Sequence, residues 1–167
     1  MIASTIKEVF GREYLKHSAV RDRDEALFYE MVARGYSGGV IAEVGTHKGA
    51  STVLLATFSA RVITLDVADH PEKYELWRHF GVTDKIEFRQ GGVETLRGDD
   101  EFGFAFVDGD HSYGNVANDF QAVRKCGSVL FHDYGDSFKG VRDFVNGIKD
   151  GILHIEKPFA LWMNHDA

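Results

Sequence analysis

The residues best suited to chemistry lie in segment 43–51, which contains two glycines and reads EVGTHKGAS. An apolar run precedes Gly45 and a helical pattern follows Gly49, so this segment is predicted to join a strand to a helix. Glycines let a ligand approach the backbone, and the free N–H groups of a first helical turn attract anions. Asp66 lies 21 residues after Gly45 at the end of the next predicted strand, where a carboxylate can accept both ribose hydroxyls. These features predict a nucleotide-type site.

A second group of polar residues follows two later apolar runs. Segment 107–113 reads VDGDHSY, and the pair His132-Asp133 ends another run. In open α/β sheets, ligands bind beyond the carboxyl ends of the strands, where these residues are predicted to lie. Asp110 has a structural alternative, because an aspartate suits the cap of the helix that follows. Asp108, at the strand tip, is predicted to face the ligand.

Seven β-type segments must position these residues. They are predicted at 40–43, 61–66, 86–90, 102–108, 128–132, 152–156 and 159–163. The first five alternate with helical patterns, which is typical of a parallel sheet covered on both faces. The last two are joined by a very short link, which antiparallel strands tolerate and parallel strands do not. The predicted fold is α/β, a doubly wound, mostly parallel seven-stranded sheet with one antiparallel strand.

The chain is predicted to form one domain over residues 1–167, with a helical segment at 1–39 and the sheet core at 40–167. Two helix faces are read from helical spacing. The first comprises Ala26, Leu27, Glu30, Met31 and Arg34, and the second comprises Phe138, Val141, Val145 and Ile148. The N-terminal segment is expected to cover the site or to form a homodimer contact.

Composition excludes several classes of function. There are 19 basic and 26 acidic residues, and the net charge of −7 disfavours nucleic acid or an anionic membrane as a partner. A single cysteine, Cys126, excludes an internal disulfide framework and suits a reducing compartment. No secretory or membrane-spanning pattern is present in the sequence. A cytoplasmic location is therefore expected.

Four of these features together resemble class I S-adenosylmethionine-dependent methyltransferases: segment 43–51, Asp66, segment 107–113 and segment 130–133. More narrowly, DGDHSY followed by a strand that ends in His-Asp is similar to a bacterial subgroup that includes small-molecule O-methyltransferases. The resemblance covers about residues 40–133. It implies a Rossmann-like methyltransferase fold, S-adenosylmethionine as the cofactor and a small-molecule hydroxyl as the methyl acceptor.

The resemblance also implies which residues bind the cofactor. They are Glu43, Gly45, Thr46, Gly49, Ser51, Asp66, Gly92, Val93, Asp108 and His111. Within this set, Glu43 is expected to approach the cofactor's amino group and Ser51 its carboxylate. Asp66 is expected to accept the ribose hydroxyls, while Gly92 and Val93 border the adenine. A sulfonium cation beside carboxylates is an electrostatically favourable placement.

The catalytic residues are predicted to be His111, His132 and Asp133. Related metal-dependent enzymes hold a divalent cation, usually Mg²⁺, with carboxylates at the tips of the fourth and fifth strands, which here are Asp108 and Asp133. This chain departs from their pattern at His132, and imidazole is a poor ligand for Mg²⁺. A metal requirement is therefore left open. Without a metal, His111 or His132 is the expected general base.

Three other functions compete with methyl transfer. An NAD-dependent oxidoreductase also uses a glycine turn and an acid after the second strand, but Gly45 and Gly49 do not match G-x-G-x-x-G. A metal-dependent phosphohydrolase is suggested by His132-Asp133, although this pair ends a strand rather than lying on a helix. A non-catalytic module that binds S-adenosylmethionine or a protein partner remains open because the chain is short.

Overall fold

The computed structural model describes residues 1–164; the last three residues of the predicted domain, 165–167, lie outside the described part. Its strands are β1 (Ile41–Val44), β2 (Val62–Asp66), β3 (Ile86–Gln90), β4 (Phe104–Val107), β5 (Ser128–Phe131), β6 (Ile152–Glu156) and β7 (Phe159–Met163). They form one sheet in the order β3-β2-β1-β4-β5-β7-β6. Neighbours from β3 to β5 are parallel, and β7 is antiparallel to both β5 and β6. The predicted fold class is confirmed.

Six helices accompany the sheet: α1 (Ile2–Phe10), α2 (Glu25–Gly35), α3 (Ala50–Phe58), α4 (Glu72–His79), α5 (Tyr113–Val123) and α6 (Lys139–Gly147). Successive strand residues point to opposite faces. Ile41 and Phe104 therefore belong to one buried cluster, with residues of α1, α2 and α3. Ala42 and Ala105 belong to the other, with residues of α5 and α6. None of the described helices is long and apolar enough to cross a bilayer.

The predicted face of α2 is confirmed at Met31 and at Leu27, which is half-buried against the core, and is wrong at the other positions. Phe28, Met31, Val32 and Gly35 are buried in this helix, whereas Ala26 and Arg34 are exposed. A methyl group built on Gly35 would lie 2.9 Å from side-chain atoms of both Phe104 and Leu161. The helix therefore packs by its glycine face, which apolar side chains alone do not reveal.

The predicted face of α6 is wrong at its first residue. Phe138 precedes the helix, is 37% exposed, and its ring centroid lies 4.3 Å from that of His111. Val141 and Val145 are buried as expected. Phe138 therefore belongs to the cleft described below and not to the core.

The parallel register brings four strand tips level with one another. Val44 is paired with Leu65 of β2 and with Val107 of β4, and Val107 is paired with Phe131 of β5. The residue after each of these four is consequently at the same height: Asp66, Gly45, Asp108 and His132. β1 and β4 are neighbours here although β2 and β3 intervene in sequence, and an open α/β sheet binds its ligand at such a switch point.

Candidate active site

Two adjoining cavities lie beyond this row of strand tips and share Gly45, His47 and Asp108. The larger one, of about 570 Å³, is called the histidine cavity because His111 and His132 line it. The smaller one, of about 410 Å³, is called the acidic cavity because its wall carries several carboxylates. Because they share part of their walls, the two cavities are treated as halves of one cleft.

The turn after β1 requires glycine at Gly45. Its φ is +97°, and a methyl group built there would lie 2.1 Å from the backbone oxygen of Asp108. The N–H groups of Gly45 and Thr46 both donate to the carbonyl of Leu65, at 2.9 and 3.2 Å. Only a residue without a side chain lets the tips of β1 and β4 approach this closely.

Gly49 places the start of α3 in the cleft. Its φ is +76°, and its carbonyl accepts a hydrogen bond of 3.2 Å from Nε1 of the buried Trp77. The first residues of α3, Ala50 and Ser51, line the histidine cavity. The free N–H groups of this first turn can therefore attract an anionic ligand group there.

Glu43 lies beneath the turn and not in the cleft. It is fully buried, and its carboxylate accepts hydrogen bonds of 2.6 Å from the hydroxyls of Ser51, Thr52 and Thr64. Burial raises the pKa of Glu43 to about 7, although these hydrogen bonds act in the opposite direction. The expected approach of Glu43 to a cofactor amino group is therefore corrected, because this side chain joins β1, β2 and α3 from below.

Two of the predicted cofactor-binding side chains also point inward. The hydroxyl of Ser51 is used by Glu43, and the hydroxyl of Thr46 shares a hydrogen bond of 2.6 Å with that of Thr64. Both residues line the histidine cavity nevertheless. Since the side-chain hydroxyls are occupied, backbone groups are the polar atoms that these positions can offer to a ligand.

Asp66 faces the acidic cavity from the tip of β2. One carboxylate oxygen accepts the N–H of His47 at 2.6 Å, and the other accepts the N–H of Ala68 at 2.9 Å. The first of these bonds holds His47 at a φ of +46°, an uncommon conformation for a residue other than glycine. Each carboxylate oxygen still has a lone pair for a ligand hydroxyl.

The acidic cavity is lined by five carboxylates: Asp66, Glu94, Asp108, Asp110 and Asp119. Gly92 and Val93 complete this wall, and Glu94 accepts the N–H of Gly92 at 2.7 Å. His47 is the basic residue of the lining, and burial lowers its pKa. The negative potential of the five carboxylates favours a ligand that carries hydrogen-bond donors or positive charge, and it disfavours an anionic pyrophosphate.

Asp119 is the carboxylate in this wall that the sequence interpretation missed. It lies on α5, is 7% exposed, and accepts no hydrogen bond from residues 1–164. Burial raises the pKa of Asp119 to about 6, and the charges of Asp110 and Glu94 add to the effect. Helical spacing could have found it, because position 119 falls on the same buried face as Val116 and Phe120.

Four ionisable side chains meet in the histidine cavity. Asp108 Oδ1 lies 2.9 Å from Nδ1 of His132, within a hydrogen bond. Asp133 Oδ2 lies 3.5 Å from the same nitrogen and 3.0 Å from Nε2 of His111. His111 Nε2 also lies 3.9 Å from Asp108 Oδ1. The structure thus brings together all three predicted catalytic residues and Asp108.

The carboxylates keep both imidazoles protonated at neutral pH. The nearby carboxylates of Asp108 and Asp133 raise the pKa of His111 to about 9. Burial opposes protonation of His132, but the same two aspartates raise its pKa to about 10. Burial also opposes ionisation of Asp133, yet the two histidines hold its pKa well below the usual range. A general base needs a neutral imidazole, and in the free protein these carboxylates favour the protonated form of both histidines.

The donor set does not fit the Mg²⁺ ion implied by the resemblance. Mg²⁺ prefers oxygen ligands in octahedral geometry and keeps several waters. Here the two carboxylates of the expected site, Asp108 and Asp133, each lie against imidazole nitrogens. Nitrogen donors of this kind suit other divalent ions.

The N-terminal segment supplies the wall that no sequence motif indicated. Tyr14, His17, Ser18, Ala19 and Arg21 line the histidine cavity, together with Phe138. The hydroxyl of Tyr14 donates to the carbonyl of Lys48 at 2.9 Å, which fastens this segment to the glycine turn. These residues lie between elements that pack through long-range contacts, so their proximity to the turn has no local signature.

A doubly wound sheet with a glycine turn, an acid after β2 and polar tips on β4 and β5 defines a nucleotide-type binding site. A family model described as a methyltransferase domain matches residues 42–134, which is more than half of the chain. The chain belongs to this family of methyltransferase domains, and the expected class, an S-adenosylmethionine-dependent methyltransferase, is confirmed. A comparison with curated proteins finds no match.

Solved structures agree on the fold. An O-methyltransferase from Bacillus cereus in complex with SAH is 18% identical, with a TM-score of 0.65 over 98% of this chain and 97% of that chain. A putative O-methyltransferase from Klebsiella pneumoniae is 18% identical, with a TM-score of 0.67 over 96% and 94%. A methyltransferase from Geobacter sulfurreducens is 13% identical, with a TM-score of 0.72 over 98% and 87%. At these identities the likeness shows the fold alone.

Proposed function

We propose that this protein transfers the methyl group of S-adenosylmethionine to a hydroxyl group of a small molecule. The observation that carries the proposal is the junction of the two cavities at Gly45 and Asp108. The carboxylates of the acidic cavity accept hydrogen bonds, and the hydroxyl and amino groups of an adenosyl moiety can donate them. Asp66 would then face the ribose. The acceptor then occupies the histidine cavity, next to the four ionisable side chains.

The chain's own residues have three tasks in this reaction. S-Adenosylmethionine, when bound, supplies a methyl group whose bond to sulfur breaks as the acceptor oxygen bonds to carbon, which leaves S-adenosylhomocysteine. Asp108, at the junction, stabilises positive charge. The first turn of α3 attracts the cofactor's carboxylate through its free N–H groups. The acceptor's hydroxyl proton passes to a group of the histidine cavity, whose four ionisable side chains lie next to the acceptor.

Three lines of support favour this proposal over the alternatives. The five carboxylates of the acidic cavity oppose the pyrophosphate of NAD, which counts against an oxidoreductase. The net charge of −7 and a cavity of about 570 Å³ favour a small acceptor over a nucleic acid. The structural neighbours with O-methyltransferase in their descriptions support oxygen as the accepting atom.

Release of S-adenosylhomocysteine with a panel of hydroxyl compounds tests catalysis. Binding of the cofactor without turnover across the panel would favour a non-catalytic module.

Asp66→Asn is expected to weaken S-adenosylhomocysteine binding by about 10- to 150-fold. The carboxylate is proposed to accept both ribose hydroxyls, and a hydrogen bond to a charged group contributes about 1.5–3 kcal/mol. Asparagine keeps one oxygen for the backbone N–H groups that Asp66 now holds. Isothermal titration measures the effect, with the exposed Asp84→Asn as the matched control. Equal affinity in both variants would remove Asp66 from the ribose site.

Asp119→Asn is expected to reduce the preference for adenine. A buried carboxylate without a partner in the acidic cavity is proposed to accept the exocyclic amine of that base. The wild type should bind S-adenosylhomocysteine at least about 10-fold more tightly than its inosine analogue, which has a carbonyl there. In Asp119→Asn the ratio of the two affinities should be smaller, because the asparagine amide can donate a hydrogen bond to the carbonyl of the inosine analogue. An unchanged ratio would place the adenine elsewhere.

A further inference from the structure

Three metal-binding donors converge on one wall of the histidine cavity, and His111 lies beside them. Donor atoms of Asp108, His132 and Asp133 all lie within 4.8 Å of one another. Nε2 of His111 lies within 4 Å of both carboxylates. This nitrogen is buried, yet it has no well-oriented hydrogen bond among residues 1–164. A network built only for hydrogen bonding would be expected to direct that N–H at one oxygen.

Three of the four nitrogen–oxygen separations in this cluster are close to those of neighbouring ligands around one ion. A ligand about 2.0–2.1 Å from Zn²⁺ stands about 2.9 Å from the next at a right angle and about 3.4 Å away at a tetrahedral angle. The four nitrogen–oxygen separations in the structure are 2.9, 3.0, 3.5 and 3.9 Å. The donors of Asp108, His132 and Asp133 therefore stand close enough to share one ion, and His111 lies against both carboxylates, from where its ring would have to move to join them.

We propose that Asp108, His111, His132 and Asp133 together bind one divalent transition-metal ion, such as Zn²⁺ or Co²⁺, in preference to Mg²⁺. Two imidazole nitrogens with two carboxylate oxygens are a donor set for borderline ions, whereas Mg²⁺ selects oxygen. The backbone conformation at Asp133 also supports a binding role. Asp133 has a φ of +57°, an uncommon conformation for a residue other than glycine, and such conformations cluster at clamps and active sites.

The neighbouring residues restrict access to the cluster. His132 is 3% exposed and its ring packs on Phe159, with centroids 5.2 Å apart. Phe138 stands over His111 on the other side. The ring of His132 is thereby fixed with Nδ1 toward the carboxylates, so little side-chain freedom is lost when an ion binds. The ion would belong to the proposed transfer site, but its binding can be measured without cofactor or acceptor.

The experiment counts metal in the full-length protein. Chelator-treated protein is incubated separately with Zn²⁺, Co²⁺ or Mg²⁺ and desalted, and the retained metal is determined by mass spectrometry. We expect about one Zn²⁺ or Co²⁺ per chain and no retained Mg²⁺, with visible absorption from the Co²⁺ form that reports nitrogen and oxygen ligation. Absence of any retained transition metal, or equal retention of Mg²⁺, would overturn the proposal.

Variants assign the ligands. His111→Ala and Asp133→Asn, both at partly exposed positions, are expected to lose the retained metal and the Co²⁺ absorption. His154→Ala is the matched control, because His154 also lies 2.9 Å from a carboxylate, that of Glu156, but on the edge strand β6. Circular dichroism confirms that each variant is folded. Full retention by both cluster variants would overturn the assignment.

Binding of S-adenosylhomocysteine to the same preparations separates this proposal from the proposed function. Metal-free protein that still binds the cofactor product, but never retains a transition ion, would refute the metal site alone. Protein that retains Zn²⁺ yet binds no S-adenosylhomocysteine would support the metal site and refute the methyl-transfer proposal.

Discussion

Gly45→Ala is expected to abolish detectable S-adenosylhomocysteine binding and to lower the free energy of unfolding by about 3 kcal/mol or more. The added methyl group would lie 2.1 Å from the carbonyl oxygen and 2.6 Å from the carbonyl carbon of Asp108, and backbone atoms cannot rotate aside. The tips of β1 and β4 would have to separate at the point where the two cavities join. Urea denaturation and isothermal titration measure the two effects.

Gly38→Ala is the control that distinguishes the steric clash at Gly45 from the backbone strain of a positive φ. Gly38 also has a positive φ, +117°, but a methyl group built there meets nothing within 4 Å. We expect this control to lose about 1–2 kcal/mol of stability and to bind the ligand as the wild type does. If the two variants were equally stable and bound equally well, the close approach of β1 to β4 would not be what the cleft depends on.

Glu43→Gln is expected to change how stability depends on pH by about 3 kcal/mol. Burial raises the pKa of Glu43 from its ordinary value of 4.5 to about 7, a shift of about 2.5 units at 1.36 kcal/mol each. Between these values the folded protein binds more protons at this site than the unfolded chain does. The stabilising contribution of Glu43 is therefore complete below pH 4.5 and is lost as the pH rises through 7.

The measurement is urea denaturation of wild type and variant at intervals from pH 4.5 to 8. Glutamine has nearly the same shape and no charge, and the surrounding hydroxyls can rotate to suit its amide. As the pH rises across this range, the free energy of unfolding of the wild type should fall by about 3 kcal/mol relative to that of Glu43→Gln. Glu13→Gln, at an exposed side chain, is the control for replacing a carboxylic acid by an amide. Parallel curves for wild type and Glu43→Gln would show that Glu43 does not titrate as stated.

Local patterns were sufficient to predict the sheet. Strands β1, β4 and β5 are buried along their whole length, and continuous apolar runs of this kind identify central parallel strands. The two-residue link between β6 and β7 identified the reversed strand. Helix faces were less certain, because α2 packs through Gly35 and α6 begins after Phe138, and neither feature follows from apolar spacing.

The tertiary structure alone decided how the polar residues combine. Asp108 and His132 became neighbours because the register of β4 and β5 sets their tips level, and no local signal encodes that register. It also turned Glu43 inward and brought Tyr14 of the N-terminal segment to the glycine turn. Each of these contacts joins residues far apart in the chain, so each depends on packing energies that a linear pattern does not contain. The amino-acid sequence by itself determined the class of site, because the glycine turn and the acids at the strand tips are local consequences of residue type.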